Sequence, residues 1–301
     1  MIMNERSPLR LEASEPLVLR RSPALEAFFV LSSYVWKDAP GRYVMLVRVV
    51  NRDDDPHKKV ARVHRAVSAD GLEFTMEDEA VIPPGAPGED DDGGCEDPTV
   101  VKDAGTYSAY YSGYNIGKGE AMMLCASGAS LRDLKKHGRV LPESDWYRNS
   151  KEATVVRGAD GRWRMFFEYS AEDASKIGLA TAPALEGPWT YESVDFPARP
   201  KAWDAWHLSA GPIIAQNSPA PIMLYNGATQ LAHWRIGWAT FDPDYGQVRA
   251  RGEEPLVEPS DVGGDATDIA FAASAVEQEK VVWLYYSISD QRLMRAVLQV
   301  L

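Results

Sequence analysis

One short pattern occurs five times along the chain, and this repetition constrains the fold more than any other feature. Each copy is a run of seven or eight residues rich in aromatic and β-branched side chains, which favour β-strands. The copies span residues 41–48, 105–112, 161–168, 220–226 and 280–287. They recur about every 60 residues, an interval long enough for one four-stranded blade of a β-propeller.

An apolar run precedes each copy and another follows it, so every repeat offers three strands with room for a fourth. We therefore predict an all-β fold in which residues 1–301 form a single domain, a five-bladed β-propeller with less than about 10% helix. The predicted blades cover roughly residues 26–80, 95–140, 150–195, 205–250 and 265–301. The innermost strand of each blade would line a central funnel.

The charge balance argues against polyanionic partners. The 301 residues include 32 Lys and Arg against 44 Asp and Glu, a net charge of −12 at pH 7. Such a chain repels phosphate backbones and anionic lipid, so we expect neither nucleic acid nor a membrane as partner. The first residues lack the apolar segment of a secretory signal, and no run is long enough to span a membrane.

Only two cysteines are present, Cys95 and Cys125, which favours a reduced, cytoplasmic protein. The acidic runs at 53–55 and 89–92 are predicted to be solvated loops. A calcium site is the alternative, but their spacing matches no known calcium loop. We expect no metal and no cofactor. The sequence leaves the oligomeric state open, with a homo-oligomer as one alternative.

Acidic residues recur where the predicted inner strands begin. The residues at or just before these five strands are Glu26, Asp97, Glu152, His207 and Asp268. Carboxyl groups that converge on a half-buried funnel push one another's pKa values apart, which can produce one protonated acid and one ionised base. For any one of these residues the alternative is a role in a turn or a cap.

The sharpest local motif is Gly94-Cys-Glu-Asp-Pro98. Pro98 cannot donate to a strand ladder, so we expect the inner strand to begin there and Asp97 to be held extended. Adjacent side chains on an extended backbone point to opposite sides. Either Glu96 or Asp97 would then face the funnel while the other braces the loop.

These motifs, in this order, resemble glycoside hydrolase family 130, whose members are mannoside phosphorylases and β-mannosidases built on a five-bladed propeller. The family pattern Gly-x-Glu-Asp-Pro-Arg is similar to residues 94–99, where Thr99 replaces the arginine. Further similar segments are Val47-Arg48, Ser150-Lys-Glu152, Ser209-Ala-Gly-Pro212, Leu224-Tyr-Asn-Gly227 and Gly264-Asp-Ala-Thr-Asp268. The resemblance covers roughly residues 26–298.

The resemblance implies that Asp97 is the catalytic acid, which protonates the glycosidic oxygen directly or through a substrate hydroxyl. It also implies that Arg48, Lys151 and His207 are funnel groups that bind sugar or an anion. Our full set of predicted substrate-binding residues is Arg48, Glu96, Tyr114, Lys151, Trp206, His207 and Asp268.

Two departures from the family pattern bear on the reaction. Thr99 replaces one arginine, and Glu168 stands where the phosphorylases carry the arginine of a His-Arg-Pro motif. A lost cation and an added carboxylate disfavour phosphate. We therefore predict an inverting glycoside hydrolase that acts on β-mannosides or related oligosaccharides, with Glu152 or Glu168 as the base that activates water.

Three alternatives remain open at this point. One is an inorganic-phosphate-dependent mannoside phosphorylase, and another is a propeller that binds a glycan without cleaving it. The third concerns Glu168 alone, which would merely form a buried salt bridge with Arg48 or Lys151.

Overall fold

The computed structural model describes residues 7–55, 58–259 and 268–301, and this part of the chain is almost entirely β-structure. The all-β class is therefore as predicted. Two strands and the one α-helix of the described residues come first: β1 (Leu9–Pro16), β2 (Val18–Arg20) and α1 (Pro23–Glu26). Glu26 is exposed at the end of α1, so the prediction that it stands at the head of an inner strand is wrong.

The first two repeats form antiparallel meanders. The strands of the first are β3 (Phe29–Ala39), β4 (Arg42–Val50), β5 (Ala61–Ser68) and β6 (Glu73–Ile82). Those of the second are β7 (Gly94–Asp103), β8 (Thr106–Asn115), β9 (Glu120–Gly128) and β10 (Lys135–Arg139). A single parallel pair, Ala61 with Gly94, joins both meanders into a nine-stranded sheet that also includes β2. Gly94 is required there, because a Cβ would lie 2.7 Å from the amide nitrogen of Ala61.

The third repeat is a separate four-stranded sheet, whereas the fourth is divided between two small sheets. The third consists of β11 (Arg148–Arg157), β12 (Trp163–Ala171), β13 (Ala174–Ala182) and β14 (Thr190–Glu192). The fourth consists of β15 (His207–Ser209), β16 (Ile213–Ile214), β17 (Ile222–Met223), β18 (Asn226–Ala228), β19 (Trp234–Ile236), β20 (Ala239–Phe241) and β21 (Val248–Arg251). Gly211 and Pro212 stand between β15 and β16, and Pro212 has no N–H to donate to a ladder, which explains the break.

The fifth repeat takes its outer strand from the other end of the chain. Its own strands are β22 (Ala270–Glu277), β23 (Val281–Ile288) and β24 (Arg292–Val300). β1 pairs antiparallel with β24, so that Leu9 lies opposite Val300. The first part of the predicted fifth blade, residues 265–267, lies outside the described residues.

Among the described residues, five buried hydrophobic clusters lie between successive repeats. Tyr111 belongs to the cluster between the first and second repeats, and Tyr110 to the cluster between the second and third. Phe166 packs in the cluster between the third and fourth, and Trp238 in the one between the fourth and fifth. In the remaining cluster Tyr285 of the fifth repeat packs with residues of the first, so the series of contacts returns to its start.

Candidate active site

A cavity of about 920 Å³ opens where the first, second, third and fifth repeats meet. Four predicted substrate-binding residues line it: Arg48, Glu96, Tyr114 and Lys151. Asp290, from the turn between β23 and β24, completes the charged part of the wall. Tyr114 is 38% exposed and presents part of its ring to solvent. This cavity combines charged groups with an aromatic surface, a combination suited to a sugar.

The inner strands of the first three repeats carry an irregularity at the same place. Ser32, Asp97 and Glu152 each have a left-handed backbone, with φ of 47°, 47° and 54°. Each lies where the pairing with the next strand shifts register, which is a β-bulge. Such conformations cost about 1–3 kcal/mol each and are common at functional sites. The expectation that Pro98 holds Asp97 extended is therefore wrong.

Asp97 is held by hydroxyl groups from two repeats. Ser32 Oγ donates a hydrogen bond to Asp97 Oδ1 at 2.8 Å, and Ser112 Oγ donates to Oδ2 at 3.4 Å. The side chain is 4% exposed, and Arg48 Nη1 lies 3.7 Å from Oδ1. The bulges at residues 32 and 97 thus bring two matched positions of neighbouring repeats into direct contact.

Glu96 faces the cavity and pairs with Arg48 from the middle strand of the first repeat. The distance from Arg48 Nη2 to Glu96 Oε1 is 2.5 Å. Burial raises the pKa of Glu96 although Arg48 opposes this effect, and the neighbouring charge of Asp97 raises it further. Of the two adjacent acids in the motif, Glu96 lines the cavity while Asp97 lies buried beside the Arg48–Glu96 pair.

Lys151 and Glu168 lie directly opposite each other on β11 and β12. Lys151 Nζ is 3.4 Å from Glu168 Oε1, and Ser175 Oγ donates to the same oxygen at 2.8 Å. Glu168 is only 3% exposed, and its charge raises the pKa of Lys151. The structure therefore contains the buried salt bridge that was one alternative for Glu168.

Glu152 follows Lys151 and is surrounded by charge. Its burial raises its pKa well above the ordinary range for a glutamate, and the like charges of Asp97 and Glu168 add to this effect. Lys151 and Arg48 oppose the shift without cancelling it. Two carboxylates, one from the neighbouring repeat, thus act on the buried carboxyl group of Glu152.

His207 is connected to this group through Ser175. The backbone N–H of Ser175 donates to His207 Nδ1 at 3.1 Å, so the neutral ring carries its proton on Nε2. Burial lowers the pKa of His207, which favours this neutral form. Its ring centroid lies 5.6 Å from that of Trp234.

The other predicted residues of this region have partners of their own. Trp206 Nε1 donates to the carbonyl oxygen of Asp173 at 3.0 Å. Asp268 forms an ion pair with Arg235, at 2.8 Å from Nη1 to Oδ1, and its Oδ2 lies 3.8 Å from His233 Nδ1. Residues 264–267 of the family-like segment lie outside the described residues.

Several residues of the site were not predicted from the sequence, among them Asp290 and Ser32. Asp290 has φ of 49°, and burial raises the pKa of its carboxyl group. It occupies a short connection between two strands, where an acid gives no signal different from that of an ordinary turn. Ser32 could have been found by aligning the inner strands on their bulges, but a bulge leaves no clear mark in the sequence.

The acidic runs show no metal centre. Across residues 7–55, 58–259 and 268–301, no group of three His, Cys, Asp or Glu residues could hold a metal ion. Asp91 is not solvated as predicted but buried, with Lys136 Nζ at 2.5 Å and the thiol of Cys95 donating to it.

Both Cys95 and Cys125 are free and buried. No described helix has the length and apolar character needed to cross a membrane.

A comparison with protein families gives the chain its class. The family model described as β-1,4-mannooligosaccharide phosphorylase matches residues 35–299. The protein belongs to this family, glycoside hydrolase family 130.

Two relatives come from Thermoanaerobacter sp. (strain X514). A 1,2-β-oligomannan phosphorylase is 24% identical over 82% of this chain and 83% of its own length. A β-1,2-mannobiose phosphorylase is 25% identical over 82% of this chain and 80% of its own length.

Solved structures show the same fold. The β-1,2-mannobiose phosphorylase of Listeria innocua superposes with a TM-score of 0.77 and 18% identity, covering 93% of both chains. A glycosyl hydrolase from Bacteroides ovatus superposes with a TM-score of 0.76 and 22% identity, covering 91% of this chain and 85% of the other. A third structure, described as showing that the family also contains hydrolases of β-1,2 mannosidic linkages in Candida mannan, has the same score, identity and coverage.

Proposed function

We propose that this protein cleaves the glycosidic bond of β-mannosides by a single displacement with inversion, with Asp97 as the general acid. The observation that carries the proposal is the setting of Asp97. It is a buried carboxyl group on a left-handed bulge, held by two hydroxyl groups and adjacent to a charged cavity. A hydroxyl group can donate or accept, so Ser32 and Ser112 can hold this carboxyl in either protonation state.

We also propose that the five repeats are the blades of a five-bladed propeller. The series of clusters between successive repeats, which returns from the fifth repeat to the first, supports this arrangement. The cavity would then be the mouth of the central funnel. Because Asp97 lies beside the Arg48–Glu96 pair and not on the open wall, we propose that its proton reaches the leaving oxygen through a substrate hydroxyl.

Inorganic phosphate is the first candidate for the attacking molecule. The family model and both Thermoanaerobacter relatives carry names of phosphorylases, which support this alternative better than the hydrolase expected from the sequence. Arg48, Lys59 and Lys151 all line the cavity. Arg48 Nε is buried and has no hydrogen-bond partner within the described part of the chain, so the paired carboxylates do not use every donor of this guanidinium.

Water is the second candidate, and the carboxylates favour it. Arg48 and Lys151 are already paired with Glu96 and Glu168. A phosphate dianion would have to compete with these partners and would lie near a buried negative charge. Two like charges about 4 Å apart repel by about 4 kcal/mol at an effective dielectric of 20. Glu168 or Glu152 could instead take a proton from water, as in an inverting hydrolase.

Product analysis distinguishes these candidates. The protein is incubated with β-1,2- and β-1,4-mannobiose, with and without inorganic phosphate, and the products are separated by chromatography. Mannose 1-phosphate that forms together with an equal amount of free mannose, and only when phosphate is present, supports phosphorolysis. Free mannose released at the same rate without phosphate supports hydrolysis. Binding of mannobiose without either product would contradict the proposal and support a glycan-binding protein.

A further inference from the structure

A second cavity, of about 340 Å³, lies beside the first between the second and third repeats. Ala121 and Asn149 line both cavities, so the two share a wall. Its volume falls within the range of cavities that bind small ligands. None of the predicted catalytic or substrate-binding residues lines it, whereas four of the latter line the first cavity, so the chemistry proposed above does not account for it.

The shared wall is fixed in place. Asn149 has φ of 52°, a left-handed conformation that asparagine tolerates better than most residues. Its Oδ1 accepts a hydrogen bond from the backbone N–H of Ala121 at 2.9 Å, and its Nδ2 donates to Ser170 Oγ at 3.0 Å. A ligand long enough to cross this ridge would therefore occupy both cavities in a defined relative position.

Charged groups on the wall of the second cavity are paired side by side. Arg148 Nη2 lies 3.0 Å from Glu120 Oε2, and Arg139 Nη1 lies 3.5 Å from Glu143 Oε1. With Asp145 the wall has three carboxylates against two guanidinium groups, which disfavours an anion. Such pairs leave further donors and acceptors that can bind vicinal hydroxyl groups.

An aromatic surface completes the wall. The rings of Tyr147 and Tyr191 stack with centroids 4.3 Å apart at 24°, and Tyr191 OH donates to the carbonyl oxygen of Pro142 at 2.7 Å. Because these two rings are already held in place, no side-chain entropy of the tyrosines is lost when a ligand binds. Aromatic rings and paired polar groups together suit a neutral polyhydroxylated molecule, with C–H faces and hydroxyl groups, better than an apolar or an anionic one.

We propose that the second cavity is a distal sugar-binding site for an outer unit of a β-mannooligosaccharide whose scissile bond lies in the first cavity. This inference rests on the proposed function and extends it: the preferred substrates are chains of three or more units. Arg148 would bind the outer unit through Nη1, because Glu120 already contacts Nε and Nη2 of this guanidinium.

The test compares chain lengths. For the wild-type protein, kcat/KM is measured on β-mannooligosaccharides of two to five units, under whichever conditions of phosphate support turnover. We expect kcat/KM to rise about tenfold or more between two units and the longer chains, the effect of one hydrogen bond to a charged group. Arg148→Ala should reduce this ratio to near one. Arg10→Ala is the matched control, because Arg10 is similarly exposed and paired, with Glu12 on β1, and should retain the ratio.

Two results would overturn the inference while the proposed function stands: mannobiose cleaved as efficiently as longer chains, or a gain with length that Arg148→Ala retains. If no sugar is cleaved, the proposed function fails instead. Calorimetric titration with the two-unit and four-unit chains then measures the same preference as a ratio of Kd values. Equal affinities, or no binding of either, would overturn the distal site.

Discussion

Replacing Asp97 by Asn tests the proposed acid with little change in shape. The amide can still accept the hydrogen bond that Ser32 Oγ donates at 2.8 Å. It cannot supply the proton that the leaving oxygen needs. General acid catalysis contributes about 10²–10⁴-fold, so we expect kcat on mannobiose to fall by that factor.

The same substitution should leave the protein folded. At 3.7 Å, the attraction between Asp97 and Arg48 is worth about 4 kcal/mol at an effective dielectric of 20. Two features offset this loss. Arg48 keeps Glu96 at 2.5 Å, and removal of the Asp97 charge relieves repulsion on Glu96 and Glu152. We expect the free energy of unfolding to change by no more than about 1 kcal/mol, measured by urea denaturation.

The assay uses two leaving groups. Mannobiose has a poor leaving group that requires protonation. The 4-nitrophenolate group of 4-nitrophenyl β-mannoside, in contrast, leaves with little help from an acid. The deficit of Asp97→Asn should therefore be at least about tenfold smaller on the aryl substrate. A folded variant with wild-type turnover of mannobiose would refute the assignment. If Glu96→Gln alone showed the loss, the acid would be Glu96.

Three further predictions concern charge and stability. Glu168→Gln frees Lys151 from its partner at 3.4 Å, so we expect the KM for phosphate to fall several-fold. If free mannose released in the absence of phosphate instead fell by about 10² or more, Glu168 would be the base of a hydrolase. The raised pKa of Glu152 means that the folded state binds the proton of this carboxyl group more tightly than the unfolded state does. Its contribution to the free energy of unfolding is therefore fully present below about pH 4.3, the ordinary pKa of a glutamate, and declines as the pH rises through the pKa of the folded state. In thermal unfolding between pH 4 and 8, Glu152→Gln should therefore show a smaller decline than the wild type, and an identical decline would contradict this account. Finally, Asp204 is fully buried and contacts Arg199, Arg251 and Tyr225. We therefore expect Asp204→Asn to lower the free energy of unfolding, measured in urea, by about 3–5 kcal/mol. Glu73→Gln breaks an exposed pair with Arg20 and should cost less than about 1 kcal/mol, so equal losses would refute the distinction.

The local pattern of aromatic and β-branched residues was sufficient to predict the all-β class and the order of the repeats. The segments at 41–48 and 105–112 became β4 and β8, because their aromatic and β-branched residues are buried on packed strands. The pairing of β1 with β24 could not be predicted from the local sequence pattern. It depends on contacts between opposite ends of the chain, and sequence periodicity carries no information about such partners.

The site was predicted in its residue types more than in its geometry. Glu96 and Lys151 occupy matched positions on the inner strands of successive repeats, and Arg48 reaches the same cavity from the middle strand of the first repeat. The local preference imposed by Pro98 indicated an extended Asp97, but strand pairing on either side places a bulge there. Tertiary structure thus overrides a local preference at the residue proposed to do the chemistry, where strain is commonly found.

The pairing of β1 with β24 also orders the events of folding. During synthesis β1 is made long before its partner β24, so the backbone groups of β1 stay unpaired in the meantime. Closing so long a loop costs entropy, which makes this contact a late one. Most β1 side chains are exposed, among them Arg10 and Glu12. Charged residues on an unpaired edge discourage association with other chains. The sequence of β1 therefore protects the nascent protein from aggregation until its C-terminal partner emerges.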